Sequence, residues 1–188
     1  MTRIAIVTGS TRNGRLNPQV AEYVYKIAGE REGAEYEIFD IADFDLPLFR
    51  EAIPASMSTD YQDPRVQRWA DAVRSVDGFV FIVSEHNRGI TASLKSAIDY
   101  LYPEWNDKAA GIVTYGSSGG VYAGQALRAI MSTLQVATVT QQPVFNLFTD
   151  FENMATFTPA AAHDAAIVGM LGQVEKWAAA LASTRALA

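Results

Sequence analysis

The sequence contains no cysteine, and this absence excludes several kinds of chemistry at once. Without thiols the chain forms no disulfide, no thiolate metal site, no iron–sulfur cluster and no cysteine nucleophile. Histidine is nearly as scarce, because His86 and His163 are the two that occur. A metal site built from several histidines is therefore not expected. A chain without cysteine is compatible with a reducing compartment, and we expect a cytoplasmic protein.

The sequence also has no long apolar run and no excess of positive charge. No stretch of about 18 apolar residues suggests a membrane span, and the first residues resemble a strand rather than a signal peptide. Lys and Arg number 15 against 21 Asp and Glu, so the net charge is -6. That charge opposes binding to nucleic acid or to an anionic membrane, and neither partner is expected. With 188 residues, 49% of them hydrophobic, we expect one domain over 1–188 with a sizeable core.

Short apolar runs alternate with longer amphipathic segments, and this alternation predicts successive βαβ units. Four runs are predicted strands: Arg3–Thr8, Tyr36–Asp40, Gly78–Ser84 and Ala109–Tyr115. A fifth, Val136–Phe145, is interrupted by Gln141, Gln142 and Pro143 and is expected at an edge. Nearly continuous apolar runs are typical of parallel strands that are buried on both faces. The pattern therefore predicts an open three-layer α/β fold.

The helices expected between these strands lie at about 18–31, 64–76, 91–102, 121–135 and 159–184. Thr91 is expected to cap the third of them, and Lys95 to pair on its surface. Segment 41–63 is too long for a simple connection and has little periodicity. It is expected to be either a functional flap or a mobile loop.

The loop GSTRNGRLN, residues 9–17, directly follows the first predicted strand and precedes the first helix. Ser10 and Asn17 can donate hydrogen bonds, and Arg12 and Arg15 can donate charge-assisted ones. Together with the amides of a helix N-terminus, these groups predict a phosphate site. The alternative is a polar loop whose Ser and Asn cap the helix. The loop matches neither GxxxxGK[ST] nor GxGxxG, so a P-loop or a Rossmann dinucleotide site is not predicted.

Two more polar loops follow the third and fourth predicted strands. One contains Ser84, Glu85, His86 and Asn87, and the other runs from Tyr115 to Gly120. Polar side chains and glycines just past buried parallel strands suit a flat ring with polar edges. Taken alone, the loop with His86 could be an ordinary solvated loop, and the Gly/Ser run after Tyr115 could be a flexible turn. Three such loops at strand ends favour one shared site for a phosphorylated heterocycle, and FMN fits best.

On these residues the chain resembles the NAD(P)H-dependent FMN reductase family, flavodoxin-like proteins that include quinone, azo-dye and chromate reductases. The resemblance covers about residues 1–145. It is carried by GSTRNGRLN, by SEHNRGITASLKSAIDYLYPEWNDKAAGIVTYG, and by SSGG followed by ALRAIM. The first of these matches the family's G-S-x-R-x-x-S-x-N, except that Arg15 stands in the usual Ser position. In the family's P-E-Y-N, Ser84 and His86 replace Pro and Tyr.

The resemblance implies a flavodoxin-like three-layer sandwich with a five-stranded parallel sheet of order 2-1-3-4-5. It implies bound FMN, with NAD(P)H as co-substrate and hydride passing through the flavin to a quinone, azo compound, flavin or similar small acceptor. No catalytic side chain and no metal are expected, and a homodimer or homotetramer is implied. The residues expected to contact FMN are Ser10, Arg12, Arg15, Leu16, Asn17, Ser84, Glu85, His86, Asn87, Tyr115, Gly116, Ser117, Gly119 and Gly120.

Two other functions fit parts of this pattern. One is a flavodoxin-like electron carrier without a nicotinamide site, and the other is a binding module that has lost the cofactor. Trp105 is interpreted as a subunit contact, as a wall of the acceptor site, or as a local staple over the preceding turn. Arg50, Arg88 and Lys108 are candidates to meet the 2′-phosphate of NADPH.

Overall fold

The computed structural model describes residues 1–185 and shows a parallel sheet between two layers of helices. The long strands are β1 (Thr2–Thr8), β2 (Ala34–Asp40), β3 (Gly78–Ser84) and β4 (Lys108–Gly116). The strand order is β2-β1-β3-β4-β5, and the neighbouring strands are parallel. Strands β3 and β4 are buried along their whole length, as expected where helices cover both faces. The predicted fold class and strand order are confirmed.

The fifth position of the sheet is shared by two short strands. Strand β5 (Val136–Thr138) pairs with the first part of β4, and β6 (Val144–Asn146) pairs with its last part. The prediction of one strand over 136–145 is therefore wrong, and the sheet has six strands. Pro143 lies between the two pieces and has no N–H to donate to a ladder. The break lets β6 bring Leu147 against β4, where the Leu147 N–H donates to the Gly116 carbonyl at 3.1 Å.

All five predicted helices are present, with ends that differ from the predicted ones by up to five residues. They are α1 (Asn17–Ala28), α3 (Pro64–Arg74), α4 (Ala92–Asp99), α5 (Val121–Thr133) and α6 (Asp164–Arg185). Thr91 caps α4 as expected, since its hydroxyl oxygen accepts from the Leu94 N–H at 3.1 Å. Lys95 pairs with Asp99 on the surface of α4 at 2.6 Å. Within residues 1–185, no helix combines the length and apolar character needed to cross a bilayer.

Four small elements among residues 1–185 have no counterpart in the sequence predictions. Helix α2 (Ile41–Phe44) begins the segment that was expected to be a flap or a mobile loop. Strands β7 (Phe151–Glu152) and β8 (Thr156–Phe157) form a short antiparallel hairpin. A 3₁₀ turn (Ala161–His163) precedes α6, so the expected helix start at 159 is too early.

The sheet separates two cores, because alternate side chains of each strand point to opposite faces. Helices α3, α4 and α5 cover one face, and α1 and α6 cover the other. Trp105 is fully buried in the first core, where its indole N–H donates to the Ile98 carbonyl at 3.2 Å. Its expected roles as a subunit contact or a wall of the acceptor site are therefore wrong, because the ring is buried inside the protein core.

Lys108, the first residue of β4, is a buried amine. Its Nζ donates to the Val73 carbonyl at 2.6 Å, and burial lowers the pKa of the amine to about 7. The residue lies at the opposite end of β4 from the polar loop that follows Tyr115. The suggestion that Lys108 meets a nicotinamide phosphate is therefore wrong.

Replacing Lys108 with Met is expected to flatten the rise of stability with pH. The amine binds a proton in the unfolded chain below about pH 10.4 but in the folded chain only below about pH 7. The unfolded state thus holds more protons in this window, so the free energy of unfolding rises with pH, by at most about 1.4 kcal/mol per pH unit. Urea unfolding from about pH 7 to 9.5, below the range where tyrosines titrate, measures this slope. A Lys108→Met variant that keeps the parent's slope contradicts the assignment.

The turn from β4 into α5 depends on glycine. Gly120, at the N-cap of α5, has φ of 74°, and a Cβ there would lie 2.8 Å from the Tyr115 carbonyl oxygen. Gly14 in the first loop has a similar φ of 69°, but no atom lies within 4 Å of the place where its Cβ would be. The two glycines share a left-handed backbone and differ in the space around it.

Substituting alanine at these positions separates backbone strain from steric clash. Gly14→Ala is expected to cost about 1 kcal/mol for the left-handed backbone, and Gly120→Ala about 2–4 kcal/mol, because strand β4 or helix α5 must also shift. Urea unfolding of the flavin-free protein, with equal m-values, gives both numbers. Equal losses at the two positions would show that the contact with Tyr115 carries no cost.

Candidate functional site

The loops after β1, β3 and β4 meet at one edge of the sheet, because these three strands are adjacent and parallel. A hollow of about 70 Å³ lies between them. It is bordered by Ser10, Arg12, Arg15, Leu16, Ser84, Glu85, His86, Tyr115, Gly116 and Leu147. Every one of these residues except Leu147 was expected at the site from the sequence.

A second hollow, of about 320 Å³, opens beside the first. Ser10, Arg12 and His86 border both hollows, so both lie against the first loop. The start of α4 lines the second hollow on one side, and residues 46–48 line it on another. Part of segment 41–63 is thus a wall of the second hollow.

The first loop presents the start of α1 to the hollow. Leu16 occupies the N-cap of α1, and no side chain caps the helix there. The alternative in which Ser10 and Asn17 serve as helix caps is therefore wrong. Pro18 in the first turn has no N–H, and the Gln19 N–H donates to the Leu16 carbonyl at 3.1 Å, so the helix start offers few backbone donors to an anion. Arg12 in this loop is exposed and has no ion-pair partner among residues 1–185.

Asn17 and Arg15 make bonds inside the protein. Asn17 is fully buried, and its Nδ2 donates to the Ile82 carbonyl at 3.0 Å, which ties α1 to β3. Arg15 borders the hollow, but its Nη1 donates to Asp40 Oδ1 at 2.6 Å and to the Ser10 carbonyl at 3.0 Å. Asn17 thus braces the loop from behind, whereas Arg15 faces the hollow while paired.

The second loop turns tightly and connects to the third. His86 and Gly89 exchange backbone hydrogen bonds of 2.9 and 3.0 Å around Asn87 and Arg88, which both have positive φ, as in a type I′ turn. Asn87 is exposed at the tip of this turn and borders neither hollow. The Glu85 carboxylate accepts hydrogen bonds from the N–H groups of Tyr122 and Ala123, in the first turn of α5, at 3.0 and 3.1 Å. Glu85 therefore caps α5 and holds the second and third loops together.

The third loop supplies a buried phenol and a close approach of backbone. Burial raises the pKa of Tyr115 to about 12, so its hydroxyl is neutral at physiological pH. At Gly116 a Cβ would lie 3.3 Å from Glu85 Cβ, so a side chain would crowd the second loop. Gly119 and Gly120 are buried and shape the turn, and Ser117 is exposed next to it.

One buried hydroxyl at the hollow lacks a partner. Ser84 Oγ is buried and makes no hydrogen bond to any residue that the structure describes. Buried polar atoms without partners are uncommon in proteins, and such a hydroxyl suits a hydrogen bond to a bound molecule. The guanidinium groups of the first loop suit a phosphate, and Ser84 and Tyr115 suit the polar edge of a ring. The residues present therefore fit a phosphorylated heterocycle such as FMN.

Two residues at the site escaped the sequence predictions. Leu147 reaches the hollow through the pairing of β6 with β4, and no local pattern indicates this. Asp40, the last residue of β2, reaches Arg15 across the end of β1. Its position at a strand end was visible in the sequence, but its partner was not.

Comparison with known proteins places these features in a family. Residues 2–150 match the family model described as NADPH-dependent FMN reductase. An NAD(P)H-dependent FMN reductase from Nectria sp. is 34% identical over 68% of this chain and 66% of the relative. A quinone reductase from Pseudomonas putida is 30% identical over 66% of this chain and 67% of the relative.

The fold is shared with solved structures of lower sequence identity. The structure of FerB, a flavoenzyme NAD(P)H:acceptor oxidoreductase from Paracoccus denitrificans, matches with a TM-score of 0.72. The match covers 95% of this chain and 97% of that one at 20% identity, so it supports the flavodoxin-like fold. With the family match over most of the chain, the protein belongs to the NADPH-dependent FMN reductases, oxidoreductase enzymes with FMN as cofactor and NAD(P)H as co-substrate.

Proposed function

We propose that the protein binds FMN at the three loops and passes hydride from NADH or NADPH to a small oxidised acceptor, with quinones as the first class to test. The observation that carries this proposal is the single opening bordered by loops from β1, β3 and β4, with cationic groups on the first loop. The Pseudomonas putida relative is named a quinone reductase, which supports the choice of acceptor.

The phosphate of FMN is assigned to the first loop, where Arg12 and Arg15 supply charged donors. Ser84 Oγ and the neutral hydroxyl of Tyr115 are assigned to hydrogen bonds with the ring or its ribityl chain. Glu85 and Asn17 act indirectly, because their side chains fasten the loops to α5 and β3.

When bound, FMN supplies the hydride chemistry at N5, and the protein supplies binding and orientation. No side chain needs to act as a nucleophile or as an obligatory base. Arg50 and Arg88 are exposed and stay candidates for contact with NADPH. Arg88 already lies over the Tyr122 ring at 4.5 Å, beside the start of α5. The homodimer or homotetramer and the cytoplasmic location stay predictions.

The purified protein is expected to be yellow and to oxidise NADH or NADPH steadily when an acceptor is present. Flavin-loaded protein is assayed with each nicotinamide against menadione, an azo dye and free FMN, followed by nicotinamide absorbance at 340 nm. Bound flavin without turnover would indicate an electron carrier, which needs a separate reductase. Failure to retain or bind FMN would indicate a module without the cofactor.

Replacing Arg12 with Ala is expected to weaken FMN binding about tenfold and to leave riboflavin binding within about twofold. A charge-assisted bond to phosphate is worth about 1.5–3 kcal/mol, and riboflavin lacks the phosphate. Quenching of flavin fluorescence on titration with flavin-free protein measures both affinities. Arg3→Ala is the control, since Arg3 lies at the opposite end of β1 and pairs with Glu37. Equal losses for both flavins would contradict a phosphate role for Arg12.

A further inference from the structure

The guanidinium of Arg15 is held by a carboxylate from a different strand. Asp40 is the last residue of β2, and its Oδ1 lies 2.6 Å from Arg15 Nη1. The parallel register places Asp40 opposite Thr8, the last residue of β1. The first loop begins directly after Thr8, so Asp40 stands beside the start of the loop that contains Arg15.

Asp40 is itself fastened in place by other donors. The Thr8 hydroxyl donates to Oδ1 at 2.9 Å, and the Ala42 N–H donates to the same oxygen at 3.0 Å. Burial alone would raise the pKa of Asp40, but the bonds from Arg15, Ala42 and Thr8 outweigh it and hold the pKa below its usual value. The carboxylate is therefore ionised at neutral pH and cannot easily move away from Arg15.

The Arg15–Asp40 ion pair is partly buried and still partly open to solvent. The side chains of Arg15 and Asp40 are 22% and 18% exposed, and Arg15 borders the smaller hollow. An ion pair with this degree of burial is less screened by solvent and salt than a surface pair. By contrast, Arg12 in the same loop is exposed, and within residues 1–185 no carboxylate pairs with it.

Only one corner of the Arg15 guanidinium is used by these contacts. Both of its bonds, to Asp40 and to the Ser10 carbonyl, come from Nη1. Among residues 1–185, Nε and Nη2 have no hydrogen-bond acceptor. Those two groups form the edge of the planar fork that binds a phosphate through two parallel bonds. A guanidinium anchored at one corner thus offers an oriented edge to an anion.

We propose that Asp40 is a positioning residue that holds Arg15 at the hollow with its Nε–Nη2 edge ready for the phosphate of FMN. The proposal rests on the proposed function, because it takes the first loop to be the phosphate site. Without Asp40, the long side chain of Arg15 would lose its rotamer freedom at the moment of binding, and affinity would fall. Asp40 repels the phosphate only weakly, since its charge is already met by three donors.

The test compares FMN with riboflavin in four variants of the whole chain. Asp40→Ser keeps a side chain that caps α2 but cannot reach Arg15. It is made alone and together with Arg15→Ala, which is also made alone. The control is Glu37→Ser, which removes another carboxylate of β2, one that pairs with Arg3 at 2.7 Å. Flavin-free protein is titrated, binding is followed by flavin fluorescence, and thermal melting checks the fold.

Asp40→Ser is expected to weaken FMN binding about tenfold, to leave riboflavin binding within about twofold, and to resemble Arg15→Ala. The double variant is expected to bind FMN no more weakly than Arg15→Ala alone, because the carboxylate acts through Arg15. Glu37→Ser is expected to bind both flavins like the parent. Melting temperatures that are equal among the variants exclude a general loss of structure as the cause.

Three results overturn the proposal: unchanged or tighter FMN binding by Asp40→Ser, equal losses for FMN and riboflavin, or additive losses in the double variant. A parent that binds FMN no better than riboflavin overturns the phosphate assignment of the proposed function, and this inference with it. A parent that prefers FMN, with the same preference in Asp40→Ser, overturns only the role of Asp40.

Discussion

Parallel pairing of β1 with β3, and of β3 with β4, is the constraint on which the site depends. Parallel strands all end at the same edge of a sheet, so three loops far apart in the chain begin side by side. The register is close, with Thr8 opposite Ile82 and Ser84 opposite Tyr115. The strands can pair in this way because helices bury both of their faces, which explains their almost continuous apolar sequence. The positions of the polar loops are therefore set by the buried strands that precede them.

Much of the polarity at the site serves to hold the loops before anything binds. Glu85 caps α5, Asn17 ties α1 to β3, and Asp40 pairs with Arg15. A binding site on loops is accurate only if its side chains are locked by further contacts. Residue types that look like ligands in the sequence therefore divide into those that face the opening and those that brace it. Gly120 is also needed for the shape of its loop, because the Tyr115 backbone leaves no room for a Cβ there.

Departures from the family pattern are informative for the same reason. Arg15 replaces the usual hydroxyl of the first loop, and the larger cation is accompanied by a carboxylate at the end of β2. Ser84 replaces a proline and places a buried hydroxyl without a partner beside the opening. Both changes leave the three-loop geometry intact. Under the proposed function, they change which groups are available to the phosphate and the ring.

Four of the strands, the five long helices, the fold class and most of the residues around the opening could be predicted from the sequence. These follow from local properties: apolar runs, loop composition and family motifs on contiguous residues. Tertiary structure decided the split of the fifth strand, the arrival of Leu147 at Gly116, and the burial of Trp105 and Lys108. It also decided that Asp40 meets Arg15. Each of these contacts joins residues distant in the chain, and each depends on strand register and helix packing, which no single segment encodes.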